Sequence, residues 1–401
     1  MKKTSVIILF LICSNMLWAQ NPLKIIQSQI CLLHKDTTCA LQLLSDTIQQ
    51  NPKAKLAQKM RGNIYFTQKN YDKALGDYLH VFSNGDSSIL YNIILCYAKQ
   101  KDVNNTVKWL KTYLTSSSKL PENVIRTNPD FSFLSKQPEW EALWKKNWFN
   151  DLEVHLGEIY YLYEQKDINT LIETIETLLK SYPNEERLLL WRAKSYLLAA
   201  NSKESLKSVD ILLQKNPSNR EAIQLKEKIY ETDANYKMLA QTYIQHFNAE
   251  PWNMELLVKI PAIFNNAEQY KESIIWSKRY IPYDTANAEI YYQLGVALSN
   301  TKDYLRAVEA LSQSLQLYKG NSDCYFERGK CNYELAAYDK AYFDFCMALD
   351  LTPTVGEYFY YRGLTSYAMK KTIGACRDFE RAKQYGFMKA ESYIQRFCHD
   401  K

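Results

Sequence analysis

The chain has 401 residues, of which 46% are hydrophobic and 23% charged, a balance that folds rather than staying disordered. Glycine and proline, at 11 each, are too few for an all-β chain full of tight turns. A formal net charge of +6, with basic runs no longer than Lys145-Lys146 and Lys370-Lys371, argues against a nucleic-acid partner. Tyrosine, at 31 copies, is over-represented and needs a structural reason.

The first element, residues 1–19, reads as a secretory signal. Lys2 and Lys3 make a basic start, Val6 to Ile12 an apolar run, and Ala19 a cleavage point, although Leu17 stands where a small residue is preferred. Ile12 before Cys13 disfavours a lipoprotein, and the run is short for a membrane anchor. Lys2 and Lys3 leave with the signal, so the mature charge falls to +4. No later segment is long and apolar enough for a membrane helix.

Beyond the signal the sequence repeats itself. Gly295, Gly329 and Gly363 are 34 residues apart, as are Ala307, Ala341 and Ala375, and Pro183, Pro217 and Pro251. One frame, starting at 152, 186, 220, 254, 288, 322 and 356, holds them all. Frames at 21, 55 and 87 hold Ala40 and Pro52, then Gly62, Tyr65, Tyr71, Ala74 and Tyr78, then Tyr97, Thr106 and Leu110. Position 20 is Ala, Ser or Thr in every frame except at Leu171 and Leu239.

Tyr325, Gly329, Tyr338, Ala341, Phe345, Ala348 and Pro353 form the best copy, and the pattern resembles the tetratricopeptide repeat (TPR). The resemblance implies an all-α fold, a TPR-like superhelical solenoid of antiparallel helix pairs. Small residues at positions 8 and 20 admit close helix approach, and proline at 32 ends the second helix. The expected organisation is an N-terminal array of about three repeats over 20–120, a Pro- and Trp-bearing helical connector over 121–151, an array of about seven repeats over 152–389, and a capping helix over 390–401. Pro261, at position 8, predicts a kink or break in its helix. Trp140, Trp144 and Trp148 fall at helical spacing in the connector and read as packing residues between arrays. Tyr393, Ile394 and Phe397 are expected on the inner face of the cap.

Arg61, Arg328 and Arg362 at position 7 match Asp77, Asp344 and Asp378 at position 23, a spacing that predicts ion pairs within a repeat; Arg192 has no matching aspartate. No phosphate loop, nucleophile elbow or metal-binding motif is present, and His34, His80, His155, His246 and His399 are scattered. The chain is therefore read as non-catalytic, with no cofactor and no metal site. Of the cysteines that follow the signal (Cys31, Cys39, Cys96, Cys324, Cys331, Cys346, Cys376 and Cys398), Cys31 and Cys39 lie on neighbouring helices of one repeat and are placed to pair; buried thiols account for most of the rest.

In the resembled family the concave groove is lined from the first helices. Tyr292, Phe326, Lys330, Tyr333, Tyr360 and Tyr367 take those positions here and are the expected partner-binding residues. Lys59, Asn63 and Asn92 match part of the family's clamp for a peptide carboxylate, with Glu122 where a further lysine belongs. The expected function is an envelope scaffold, periplasmic, secreted or surface-associated, that binds a protein or peptide in its groove. A glycan-binding accessory protein using the same aromatics, and an enzyme on a helical scaffold, are the other readings.

Overall fold

A computed structural model describes residues 22–398; residues 1–19, expected to be a signal, and His399 lie outside the described residues. Every regular element among the described residues is helical, and the chain divides into two compact units.

Unit one runs to Ile229 and takes in Glu250–Asn253. Its hairpins pair Pro22–Leu33 with Thr37–Gln50, Lys55–Thr67 with Tyr71–Ser83, and Leu90–Lys99 with Val103–Leu114. After the connector, Asp151–Gln165 pairs with Ile168–Ser181 and Glu186–Leu198 with Ser202–Lys215. The connector is built of short turns, Glu122–Arg126, Pro129–Leu134 and Pro138–Trp144. Its Ile125, Phe131, Leu134, Trp140 and Leu143 close over Leu110 and Leu114, and Trp144 and Trp148 pack at the margin of that cluster. All three tryptophans therefore serve packing. Lys119, just before the connector, and Glu153, in the helix after it, pair at 2.6 Å with both side chains 9% exposed and so close the connector end to end.

Unit two comprises Tyr230–Ala249 and the chain from Met254 onward. Met254–Asn266 packs on Tyr270–Tyr280, Ala288–Asn300 on Tyr304–Leu317, Ser322–Glu334 on Tyr338–Leu351, and Gly356–Ala368 on Thr372–Gln384. Glu391–Phe397 closes the run, with Tyr393 and Ile394 against its core. The break expected at Pro261 does not occur: the helix continues from Met254 to Asn266 with Pro261 inside it. The second-helix residue at position 24 is Ser277 in that repeat, fully buried and small, and Ser273 Oγ donates to the Pro261 carbonyl at 3.0 Å.

Close approach explains the repeating glycines. A Cβ on Gly62 would stand 2.6 Å from Tyr78 Cε1, one on Gly329 2.7 Å from Phe345 Cε1, and one on Gly363 2.8 Å from Phe379 Cε1; at Gly295 it would strike Leu311. Each of these partners is position 24 of the same repeat. In these four repeats the position-24 side chain lies directly on the first helix and requires hydrogen at position 8.

The position-7 arginines bind both within and between repeats. Arg61 Nε and Nη2 donate to Asp77 at 2.9 and 2.7 Å, and Nη1 donates to Ser45 of the preceding repeat at 3.0 Å. Arg328 does the same with Asp344 and Ser312, and Arg362 with Asp378 and the Cys346 sulfur. Arg192 is also partnered, contrary to its reading from spacing. It donates to Glu176 of the preceding repeat at 2.7 Å and to Ser208 at 2.9 Å, and pairs with Glu204 at 3.1 Å.

Cys31 and Cys39 form a disulfide, as do Cys376 and Cys398. Cys324 and Cys331 are buried free thiols that burial pushes up to about 11, which makes them unreactive packing residues.

The turn between paired helices uses one conformation throughout. Lys35, Lys69, Lys101, Lys166, Ala200, Ala234, Glu268, Lys302, Ala336 and Lys370 all have positive φ, and all stand at position 15. At Lys302 the N–H bonds the Ser299 carbonyl and the next N–H bonds that of Leu298, both at 2.9 Å, a Schellman-type close. A left-handed residue with a Cβ costs about 1 kcal/mol relative to glycine. Lys302→Gly is therefore expected to stabilise the protein by up to about 1 kcal/mol, less the unfolded-state entropy of glycine. Urea unfolding checks this; a loss of more than about 1 kcal/mol would show that the lysine side chain holds the turn.

Candidate functional site

The first helices of the last three repeats present the expected site. Asn287 and Asn321 cap two of them, accepting from Ile290 N at 3.2 Å and Cys324 N at 3.0 Å. Their position-2 acids, Glu289, Asp323 and Glu357, therefore sit in first turns, where the helix dipole favours negative charge.

The aromatic residues divide by burial. Phe326 is 5% exposed and belongs to the core, its ring 4.6 Å from that of Tyr358, 5.4 Å from Tyr361 and 5.8 Å from Phe345. That burial corrects its reading as a groove residue: rings of the next repeat cover it. Tyr360 is half-buried among Phe387 at 5.0 Å, Tyr361 at 5.5 Å and Tyr393 at 5.7 Å. Tyr292 and Tyr333 also pack on the core from its margin. Tyr367, 38% exposed, is the most open of the set and lies 4.6 Å from the Phe397 ring.

Lys330 ties this face together. Its Nζ lies 2.7 Å from Glu327 Oε1 and 5.0 Å from the Phe326 ring centroid. The Glu327 side chain is 14% exposed, and its Oε2 has no hydrogen-bond partner among the described residues. Burial raises the Glu327 carboxyl, Lys330 opposes this, and Glu357 and Asp323 raise it further. Burial works against the Lys330 ammonium, yet its value is raised because Glu327 and then Glu357 hold the charge. The two shifts fit together: one ammonium stands among several carboxylates, so the cation is favoured and the buried anion is not. Burial, with Asp323, Glu327 and Glu289 nearby, likewise raises the Tyr292 hydroxyl. Sequence reading missed these acids, although Glu289, Asp323 and Glu357 recur every 34 residues.

In unit one the partial clamp is already engaged. Lys59 Nζ pairs with Asp86 at 2.9 Å and donates to Ser88 at 2.8 Å. Tyr78 OH donates to Asn63 at 2.8 Å, and Asn92 lies within hydrogen-bonding reach of the same hydroxyl. The Lys59 ammonium is thus held by Asp86 and Ser88, while Asn63 spends only its Oδ1 on Tyr78.

Glu327 gives the face a pH dependence. Its carboxyl binds a proton more tightly folded than unfolded, so its contribution is complete below 4.5 and declines as pH rises through the raised value. Glu357→Gln removes a charge that raises it. The variant is expected to gain about 0.5 kcal/mol at neutral pH and to show a flatter decline above pH 4.5. Melting temperature against pH checks this; an unchanged slope would contradict the charge balance described.

Residues 36–82 match the family described as Tetratricopeptide repeat, and residues 266–345 match the family described as Anaphase-promoting complex, cyclosome, subunit 3. Among curated proteins, none matches the chain. Solved structures with related helical repeats include the C-terminal part of a TPR repeat-containing protein from Cytophaga hutchinsonii, at 16% identity and TM-score 0.46, covering 59% of this chain and 97% of that one. A tetratricopeptide repeat protein from Parabacteroides merdae, at 12% identity and TM-score 0.41, covers 61% of this chain and 97% of its own. YrrB, described as a TPR protein with an unusual peptide-binding site, has 16% identity and TM-score 0.38, over 47% of this chain and 97% of that one. The helix pairs in a 34-residue register, each closed by the same turn, agree with the family matches in both units, and the fold is that of tetratricopeptide repeats.

Proposed function

We propose that this protein is a non-catalytic scaffold of the cell envelope that binds a protein or peptide segment across the first helices of its last three repeats. The observation that carries the reading is the Glu327–Lys330 pair. A half-buried ion pair with one unpartnered carboxylate oxygen, among aromatic rings and further acids, costs stability, and such a cost is commonly kept for binding. Tyr333, Tyr367 and Lys330 would make contact directly, while Phe326 and Tyr360 would support them from beneath.

Glycan stacking has less support than protein binding, because a sugar needs a free ring face and those of Phe326 and Tyr360 lie against other rings. Export is supported by the signal-like residues 1–19 and by two disulfides, which persist in oxidising compartments.

Photo-crosslinking residues placed singly at Tyr333, Tyr367 and Leu305, an exposed second-helix position, test the reading in cells. A shared partner captured at Tyr333 and Tyr367 but not at Leu305, and lost with Lys330→Glu, is the expected result. Capture at Leu305 alone would move the interface to the other face and overturn the proposal.

A further inference from the structure

The repeat beginning at Lys55 departs from its own register at two positions. Position 4 is Tyr291, Tyr325 and Phe359 in the last three repeats but Gln58 here, and position 22 is Glu309, Phe343 and Arg377 there but Gly76 here. Gln58 is nonetheless only 2% exposed. A Cβ built on Gly76 meets nothing within 4 Å, so open space lies beside it. The cavity at this place has a volume of about 400 Å³ and is lined by Gln58, Tyr65, Lys73, Gly76 and His80, with Ile48 from the preceding repeat.

Hydrogen bonds fix the chemistry of its wall. Gln58 Nε2 donates to the Pro52 carbonyl at 2.8 Å, which settles the amide's orientation, and lies 2.9 Å from His80 Nδ1. Asn84 Nδ2, oriented by the His80 carbonyl at 2.8 Å, lies 2.9 Å from the same ring nitrogen. Two amide donors directed at one nitrogen make Nδ1 an acceptor, so the ring proton sits on Nε2. Gln58 Oε1 has no hydrogen-bond partner among the described residues. Arg61 is fully engaged by Asp77 and Ser45. Lys73, its Nζ 5.4 Å from the Tyr65 ring centroid, makes no ion pair among the described residues. The wall thus has one cation in surplus, one N–H donor, one buried acceptor and an apolar side.

We infer that this cavity binds a small organic carboxylate that also carries an N–H or O–H donor and an apolar body. Lys73 and His80 Nε2 take the carboxylate, the unpartnered Oε1 of Gln58 accepts from the donor, and Ile48 covers the apolar part. The equivalent cavity beside Arg328 and Asp344, about 420 Å³, keeps a lysine at Lys340. It has Tyr325 and Met347 where Gln58 and His80 stand, and so lacks the acceptor and the ring donor.

Saturation-transfer NMR on the full chain with N-acetyl-L-valine, which carries all three groups, tests the site. Binding is expected, with loss on the order of tenfold for N-acetylvalinamide, which lacks the charge, and for Lys73→Gln. Gly76→Glu has room for its side chain and places a carboxylate beside Lys73, so it should abolish binding without lowering the melting temperature. Gly76→Ala should bind as wild type. 2-Hydroxyisovalerate and a decapeptide ending in valine divide the sources: whichever competes identifies a free acid or a chain terminus as the ligand. No transfer from any of these at tens of millimolar, equal binding of acid and amide, or binding that survives Gly76→Glu would overturn the inference.

Discussion

The structure depends on how closely the two helices of a repeat can approach, and position 8 sets that distance. Where it is glycine, position 24 is large: Tyr78, Leu311, Phe345 and Phe379 each lie where a Cβ would otherwise be. Outside the glycine repeats the relation is partial: Ile94 stands opposite Leu110 and Ile159 opposite Ile175, but a smaller partner is found where position 8 is Ala or Pro. Ala193 is matched in register by Val209, and Pro261 by Ser277. Where position 8 is glycine, one large side chain fills the contact, as expected of an interior packed to crystal-like density. The same relation accounts for an uninterrupted helix at Pro261, since a ring opposite a proline would have had no room.

Polar chemistry is then distributed around that contact. The position-7 arginines join their own repeats to the ones before, with the carboxylates of Asp77, Asp344 and Asp378 nearly buried beneath Arg61, Arg328 and Arg362. Such bidentate pairs carry geometric specificity as well as energy and fix the two helices of a repeat, while the Nη1 bonds to Ser45 and Ser312 reach the repeat before. On the first helices of the last repeats, charge is added to that packing. There Glu327, Lys330 and the tyrosines around them form an arrangement that packing alone does not require. In the repeat at Lys55 the balance shifts again: Gln58 and Gly76 stand where other repeats carry larger side chains, and they line a cavity together with His80 and Lys73.

Much of the fold was legible because small residues, alanines and prolines recur at fixed spacing, and spacing is what a repeat leaves in a sequence. The left-handed turns were not legible. Lys, Ala and Glu at position 15 carry no turn signature, and the glycine that would have announced the conformation is absent from all ten turns. The partners of Arg192 were hidden because Glu176 and Ser208 differ in type from the aspartates elsewhere. Phe326 was placed in a groove by its position in the repeat, whereas its burial depends on Tyr358 and Tyr361, a full repeat away. The Cys376–Cys398 disulfide joins a helix in register to a segment outside it, so no periodicity pointed to it.

A double-mutant cycle at Gly329 and Phe345 tests the size relation most directly. Gly329→Ala and Phe345→Val are made singly and together, recreating the Ala193 and Val209 combination, and unfolding free energies are measured in urea. Each single change should destabilise by about 1–3 kcal/mol, and the double variant should recover at least about 1 kcal/mol relative to their sum. Strict additivity would contradict the account, because it would mean that the two positions do not set each other's size.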